Sequence, residues 1–213
     1  MNFLPKKIDD YAVEHSQQEP ELLQALGKET WQKVLAPRML SGHFQGRVLS
    51  MISKLVRPKN ILEIGTYTGY SALCLAEGMQ PDGMLHTIDC NEELYDLQRK
   101  YFDLSGYGTQ IKQHLGAALE IIPTLDTDFD LVFVDADKNN YPNYLKLLLP
   151  TLKSGAVLLS DNVLWSGKIV EPLVEGDLDT VALLEYNKLL NTDPRLETVL
   201  LPIRDGLTIT RVK

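Results

Sequence analysis

The chain has 213 residues, which is enough for one α/β domain with a sizeable hydrophobic core. Its formal net charge is −8, so we expect no nucleic-acid partner, because such a partner is held by a basic face. No stretch approaches the roughly 18 apolar residues of a membrane span, and residues 1–10 lack the apolar segment of a signal peptide. We therefore expect no membrane association. Cys74 and Cys90 have no predicted pairing, which favours a reducing, cytoplasmic location.

Residues 1–57 predict a helical extension that precedes the core of the domain. Apolar residues at helical spacing over residues 9–35 predict two helices separated near Pro20. A turn over residues 37–42 follows, and then an amphipathic helix over residues 44–56 that Pro58 ends. We expect residues 58–213 to form the core of the same single domain.

Strands and helices alternate through this core. The predicted strands cover residues 61–64, 84–89, 110–114, 129–135, 156–161, 196–201 and 207–212, and the helices residues 70–79, 91–104, 117–123, 144–152 and 179–191. The last two strands are too close in sequence for a parallel crossover, so they predict an antiparallel hairpin. The pattern predicts an α/β fold with a doubly wound, mostly parallel seven-stranded sheet and a C-terminal antiparallel strand.

The first strand, a glycine turn and the next helix form the predicted ligand site. Gly65 and Gly69 flank the turn, where glycine permits positive φ and a close approach of the ligand to the backbone. A dinucleotide fingerprint would need a glycine where Tyr67 stands. Glu63 is costly to bury unless it meets a cation or hydrogen-bond donors. The stretch therefore favours S-adenosylmethionine (SAM), which carries an ammonium and a sulfonium, over NAD.

Asp89 ends the second predicted strand. In nucleoside-binding α/β folds, an acidic residue at this place takes the ribose hydroxyls. The alternative is a cap for the following helix, a role that Asn91 already fills. The ribose interpretation suits SAM and NAD equally.

Polar side chains also follow the fourth and fifth strands, which we expect to be neighbours in the sheet. Asp135, Asp161 and Asn162 offer hard oxygen ligands at one edge and predict a site for Mg²⁺, Ca²⁺ or Mn²⁺. The alternative is that they are helix caps in a solvated loop. Lys138 follows Asp135 by three residues. Burial beside a cation favours a neutral amine, so Lys138 is a candidate general base.

Four strings together resemble the cation-dependent caffeoyl-CoA and catechol O-methyltransferases, a group of class I SAM-dependent enzymes with a Rossmann-like fold. They are L-E-I-G-T-Y-T-G-Y-S, F-V-D-A-D-K-N-N-Y, S-D-N-V-L-W-S-G and L-P-I-R-D-G-L-T-I-T-R, within roughly residues 39–212. The resemblance implies methyl transfer from SAM to a hydroxyl of a catechol-like or caffeoyl-type small molecule. It also implies a homodimer.

The resemblance assigns roles to single residues. Asp135, Asp161 and Asn162 would hold the cation, Lys138 and Asp135 would be catalytic, and Lys138 and Trp165 would contact the phenolic acceptor. The residues implied for the SAM site are Met39, Glu63, Gly65, Thr66, Tyr67, Gly69, Ser71, Asp89, Ala118, Asp135 and Asp137. Asp137 would meet the SAM amino group or orient its loop.

Two segments depart from the family pattern. Residues 41–47 replace a run of the P-E-Q-G-Q-F type, so the acceptor mouth is expected to differ. Residues 170–179 are acidic and supply no cationic clamp for coenzyme A, which favours small free catechols as acceptors. An NAD(P)-dependent oxidoreductase and a SAM-binding protein without catalysis are the alternative functions.

Overall fold

The computed structural model describes residues 5–213, which contain one seven-stranded sheet in the order β3-β2-β1-β4-β5-β7-β6. The predicted strands are all present, with ends that differ by a few residues. Their bounds are β1 Asn60–Ile64, β2 Met84–Asp89, β3 Ile111–Leu115, β4 Leu131–Val134, β5 Val157–Asp161, β6 Leu196–Leu201 and β7 Leu207–Val212.

The sheet is parallel from β3 to β5, and β7 pairs antiparallel with both β5 and β6. A turn over residues 202–206 connects β6 and β7, which is too short for a parallel crossover. The predicted hairpin and the reversed C-terminal strand are therefore confirmed. The reversed strand is β7, which lies inside the sheet, while β6 forms the edge.

Helices cover both faces of the sheet, and the first three precede its first strand in the chain. Their bounds are α1 Lys6–Glu14, α2 Glu21–Lys33, α3 Gly42–Val56, α4 Tyr70–Ala76, α5 Tyr95–Leu104, α6 Ala118–Ile121, α7 Tyr141–Leu148 and α8 Leu178–Thr192. The helix predicted over residues 144–152 begins earlier, as α7, because Pro142 stands in its first turn, where a missing N–H costs nothing. No helix within the described range is long and apolar enough to cross a membrane.

The core has two layers because successive side chains of a strand point to opposite faces. Leu62 and Val132 pack against α7 and α8 in one layer. Ile61 and Phe133 pack against α3 and α4 in the other. This arrangement is the doubly wound architecture that the sequence predicts, and it leaves the carboxyl ends of the parallel strands free to form a site.

Arg47 and Glu77 join α3 to the end of α4 through two hydrogen bonds of 3.0 and 2.7 Å. Burial would raise the pKa of Glu77, but hydrogen bonds from Arg47, Lys54 and Ser50 lower it to about 2. Arg47 is one of the residues at which the chain departs from the family pattern. Its side chain stabilises the helix pair and does not line the functional cleft.

Gly65 lies where the chain leaves β1, and its φ is 98°. A Cβ at this position would overlap the carbonyl oxygen of Asp135, which follows the neighbouring strand β4. Gly155 is a matched comparison, because its φ is 91° and its Cβ would meet nothing within 4 Å. Both positions favour glycine, but only Gly65 lacks space for a side chain.

We expect Gly155→Ala to cost about 1–2 kcal/mol of unfolding free energy, the usual penalty of the left-handed backbone. Gly65→Ala should cost about 1–3 kcal/mol more, because the two strand ends must also move apart. Urea unfolding of both variants measures the difference. Equal losses would mean that the contact between Gly65 and Asp135 does not constrain the fold.

Candidate active site

A cleft of about 1380 Å³ lies at the carboxyl ends of β1, β2, β4 and β5. This volume exceeds the roughly 300–1,000 Å³ of a typical ligand pocket and is large enough for two ligands side by side. The predicted site residues that line it are Met39, Gly65, Thr66, Tyr67, Ser71, Asp89, Ala118, Asp135, Asp137, Lys138, Asp161, Asn162 and Trp165. Glu63 and Gly69 are the predicted site residues that do not line it.

Asp89 closes the glycine turn from the neighbouring strand. Its carboxylate accepts hydrogen bonds from the backbone N–H of Tyr67 at 2.7 Å and of Asn91 at 2.9 Å. Asn91 itself caps the next helical segment by accepting from the N–H of Glu93. Each Asp89 oxygen can still accept a further hydrogen bond. The carboxylate thus stabilises the turn and can accept a hydrogen bond from a ligand in the cleft.

Glu63 is fully buried beneath this turn. Its Oε2 accepts a hydrogen bond of 2.5 Å from Thr87, whose hydroxyl also contacts that of Thr66. Its Oε1 has no hydrogen-bond partner among residues 5–213. Burial raises the pKa of Glu63 to about 8, although the hydroxyls of Ser71 and Thr87 oppose the rise. Glu63 therefore supports the glycine turn from below, through the hydroxyls of Thr87 and Thr66. Gly69 is the residue before α4 and caps that helix with a φ of 89°.

Asp135 and Asp161 lie at the ends of the adjacent strands β4 and β5, as the sequence predicts. Asp161 is buried, and its Oδ1 accepts from the backbone N–H of Asn162 at 2.8 Å. Burial, followed by the charge of Asp135, raises the pKa of Asp161. The two carboxylates are therefore close enough for the charge of one to disfavour the charge of the other.

Asn162 adds a side-chain oxygen and nitrogen beside the two carboxylates. Its φ is 58°, a left-handed conformation that asparagine tolerates better than most residues. The described part of the chain contains no group of three or more His, Cys, Asp or Glu side chains that could hold a metal ion. A cation here would therefore need the Asn162 amide as a third ligand, and two carboxylates with one amide suit Mg²⁺, Ca²⁺ or Mn²⁺.

Lys138 is buried beside this pair. Its Nζ donates hydrogen bonds to Asp135 Oδ1 at 3.1 Å, to the carbonyl of Ala136 at 2.9 Å and to Tyr141 Oη at 2.8 Å. Tyr141 Oη in turn lies 2.9 Å from the carbonyl oxygen of Asp161. The lysine and the tyrosine thus join the two strand ends and fix the amine next to the carboxylates.

Asp137 and Trp165 also line this cleft. Asp137 accepts hydrogen bonds of 2.5 Å from Tyr144 Oη and from the Asn140 side chain, so it orients its own loop. Trp165 packs against one core layer and begins an irregular turn over residues 165–170, in which Ser166 and Gly167 also have positive φ. Its indole N–H is buried and has no hydrogen-bond partner within residues 5–213.

Two residues at the site were not predicted. Gln45 Nε2 donates a hydrogen bond of 2.6 Å to Asp161 Oδ2, and Arg204 Nη1 donates to Gln45 Oε1 at 2.9 Å. Arg204 also bonds to the carbonyl of Ser41. Of residues 41–47, which were expected to alter the acceptor mouth, only Ser41 lines the cleft. Arg204 stands inside the string L-P-I-R-D-G, which was a usable signal, whereas no local pattern indicated Gln45.

Comparison with known proteins defines the class. The chain matches the O-methyltransferase family over residues 13–213. It is 39% identical over 204 residues to caffeoyl-CoA O-methyltransferase 1 of Arabidopsis thaliana, covering 90% of this chain and 76% of that protein. The chain therefore belongs to the O-methyltransferase family.

Solved structures have the same fold. Methyltransferase PaMTH1 of Podospora anserina, solved with S-adenosylhomocysteine (SAH) bound, superposes with a TM-score of 0.89 at 29% identity, covering 100% and 99% of the two chains. The O-methyltransferase TomG of Streptomyces achromogenes, involved in tomaymycin synthesis and solved with SAM, gives 0.87 at 29% identity, covering 97% and 96%. The predicted Rossmann-like methyltransferase fold and the O-methyltransferase class are confirmed, and they disfavour the oxidoreductase alternative.

We expect Asp89→Ala to weaken SAH binding by about 1–3 kcal/mol, the usual loss when a buried polar group loses its partner. Isothermal titration calorimetry measures the change, and the affinity for an acceptor should change little. Asp82→Ala is the matched control, because Asp82 is an exposed carboxylate at the opposite end of β2 that pairs with Lys59. An SAH affinity unaltered in Asp89→Ala would place the ribose elsewhere.

Proposed function

We propose that the protein transfers the methyl group of SAM to one of two adjacent hydroxyls of a small phenolic acceptor, with the help of a divalent cation. The observation that carries the proposal is the juxtaposition of Asp135, Asp161 and Asn162 with the glycine turn at Gly65 in one cleft. The cleft combines a nucleoside-type site with a set of hard oxygen ligands. That combination suits methyl transfer to an acceptor oxygen that needs activation.

The cofactor half of the cleft lies along the turn after β1 and the end of β2. Asp89 would accept from the ribose hydroxyls while it holds the backbone of Tyr67. Met39, Ser71, Ala118 and Asp137 line the same cleft and would surround the rest of the molecule. SAM supplies a methyl group that is already electrophilic. The protein needs only to orient it and to exclude water.

The cation half is formed by the two carboxylates and the Asn162 amide. A bound Mg²⁺, Ca²⁺ or Mn²⁺ supplies positive charge that lowers the pKa of adjacent acceptor hydroxyls. The residues fit such an ion because Asp161 is buried with only two donors on its carboxylate, and both of its oxygens keep lone pairs. Asp135 and Asp161 repel each other in its absence.

Lys138 would take the proton from the hydroxyl that is methylated. Its Nζ lies beside Asp135, and the three hydrogen bonds that hold it use all three N–H groups of the ammonium, so one of these contacts is given up when the neutral amine presents its lone pair. To accept a proton, the side chain has to enter the reaction as the neutral amine. Trp165 lines the cleft and would pack against the acceptor ring.

The acidic segment over residues 170–179 supports a small free acceptor. Its neighbour Lys168 is paired with Asp177 at 2.9 Å and is not available as a phosphate clamp. Glu171 and Glu175 are exposed. Lys33, which is likewise paired at 2.9 Å with Glu29, lines the cleft. Arg38 lines it too, so a coenzyme A ester belongs among the acceptors to be tested.

The test is methyl transfer from labelled SAM in the presence of Mg²⁺ to catechol, caffeate, caffeoyl-CoA and coumarate. We expect transfer to acceptors with two adjacent hydroxyls and none to coumarate, which has one. Equal rates with caffeate and coumarate, or no transfer to any of the four, would refute the proposal. A strong preference for caffeoyl-CoA over caffeate would refute only the free-acceptor part.

A thermal-shift measurement separates this function from that of an NAD(P)-dependent oxidoreductase. SAH should raise the melting temperature of the protein, and NADH should not.

We expect chelation to abolish methyl transfer and to leave SAH binding largely intact, because the cation ligands and the glycine turn are separate groups. Activity after EDTA treatment and after readdition of Mg²⁺ or Mn²⁺ measures this, with SAH affinity from calorimetry. Full activity in excess EDTA, with the absence of metal verified, is the contrary result.

We expect Lys138→Ala to lose about 10²–10⁴-fold in rate, the usual contribution of a general base. Part of the loss should return as the pH rises, because the acceptor hydroxyl then ionises without help. Lys138→Arg should not restore the rate, because a guanidinium stays protonated. Single-turnover kinetics across a pH series measures these effects.

Lys146→Ala is the control for that series, because Lys146 lies on the exposed face of α7 and pairs with Glu185 at 3.3 Å. It should keep the wild-type rate. If Lys138→Ala retains most of its rate at pH 7, the charge of the cation suffices and Lys138 is not the base.

The proposal includes a homodimer in the cytoplasm. The homodimer rests on the resemblance of the sequence to its family, and light scattering coupled to gel filtration tests it. Cys74 is buried, Cys90 is exposed, and both are free thiols. Unpaired cysteines support a reducing compartment.

A further inference from the structure

Gln45 connects the helical extension to the proposed cation site. It belongs to α3, is 1% exposed, and lies 116 residues from Asp161 in sequence. Its Nε2 donates a hydrogen bond of 2.6 Å to Asp161 Oδ2. The other carboxylate oxygen, Oδ1, accepts from the N–H of Asn162. The two donors contact different oxygens and so fix the plane of the Asp161 carboxylate.

Arg204 determines which way the Gln45 amide points. A guanidinium only donates hydrogen bonds, so the atom 2.9 Å from Arg204 Nη1 has to be the amide oxygen. The amide nitrogen then faces Asp161. Arg204 is itself held by the carbonyl oxygens of Leu40 and Ser41. A chain of hydrogen bonds thus runs from the turn between β6 and β7, through Gln45, to a proposed cation ligand.

We propose that Gln45 is a positioning residue for the divalent cation, and that Arg204 acts on the site through it. This inference rests on the proposed function. Without the Gln45 donor, Asp161 would lose one of its two carboxylate partners in a buried place next to Asp135. The carboxylate would then be free to rotate about the one remaining hydrogen bond, and rotation turns a lone pair away from the cation. Residues that orient a ligand in this way typically contribute 10–100-fold in metal affinity.

A purely structural role would have a different consequence. A buried glutamine that only satisfies hydrogen bonds affects the unfolding free energy but not cation affinity in the folded protein. Gln110, which is half-buried and does not line the cleft, offers a comparison. Its amide donates to the carbonyls of Pro81 and Gly83, just before β3 begins and at the opposite edge of the sheet. Gln110→Met should cost stability and leave the cleft unchanged.

The experiment measures Mn²⁺ binding by electron paramagnetic resonance of the free ion, with SAH present and no acceptor. We expect Gln45→Met, which keeps the size of the side chain but removes the donor, to weaken Mn²⁺ binding about 10–100-fold. SAH affinity, measured in the same samples, should stay within a factor of three. Gln110→Met should bind Mn²⁺ as the wild type does. Gln45→Asn, one methylene shorter, cannot span Asp161 and Arg204 and should also weaken binding.

A double-mutant cycle tests the part assigned to Arg204. Arg204→Met should weaken Mn²⁺ binding in the wild-type background and have little further effect on Gln45→Met, because it acts through the same amide. Additive losses would overturn the relay through Gln45.

The outcomes separate this inference from the proposed function. If the wild type binds Mn²⁺ and Asp161→Ala does not, the cation site is present. If Gln45→Met or Gln45→Asn, once folded, then binds Mn²⁺ within a factor of three of the wild type, the positioning role is overturned and the proposed function stands. If the wild type binds no Mn²⁺, both fail.

Discussion

The site depends on two like charges that the fold brings together. Asp135 follows β4 and Asp161 ends β5, and parallel pairing of these strands puts both carboxylates at one edge of the sheet. Such a pair is unfavourable in a partly desolvated cleft unless donors or cations offset it. Lys138 donates to one carboxylate, while Gln45 and the backbone of Asn162 donate to the other. The proposed divalent cation would complete this compensation, which is why we attribute the chemistry to this pair.

The backbone of Asp135 is in direct contact with the cofactor turn. The N–H of Asp135 donates to the carbonyl of Ile64 at 2.8 Å, and the absent side chain of Gly65 lets the Asp135 carbonyl approach the turn. A shift of the Asp135 backbone would therefore move the turn, whereas the side-chain carboxylates are separate from it. Methyl transfer needs the acceptor oxygen in line with the sulfonium methyl, and small displacements cost large factors in rate. Because Gly65 has no side chain, the Asp135 backbone packs directly on the cofactor turn, and this close packing would help to fix the acceptor oxygen relative to the methyl group.

The elements and most cleft residues could be predicted, because parallel strands end at one edge and their terminal polar residues meet there. Asp89, Asp135 and Asp161 are examples. The sequence predicted that α7 begins at residue 144, three residues too late, because the polar residues before Pro142 show no apolar spacing typical of a helix. Gln45 could not be predicted as a partner of Asp161, since a pairing across 116 residues depends on how α3 packs and leaves no local pattern. The sequence also indicated that a buried Glu63 needs a cation or hydrogen-bond donors, and the structure supplies a donor, the hydroxyl of Thr87.

The central claim is that the ends of β4 and β5 form a divalent-cation site beside the cofactor turn. Its most direct measurement is an anomalous difference map from crystals grown with SAH and Mn²⁺. The account predicts one strong peak within about 2.0–2.6 Å of oxygens of Asp135, Asp161 and Asn162, as expected for hard cations on oxygen ligands. A map with SAH in the cleft and no Mn²⁺ peak at these three residues would contradict it.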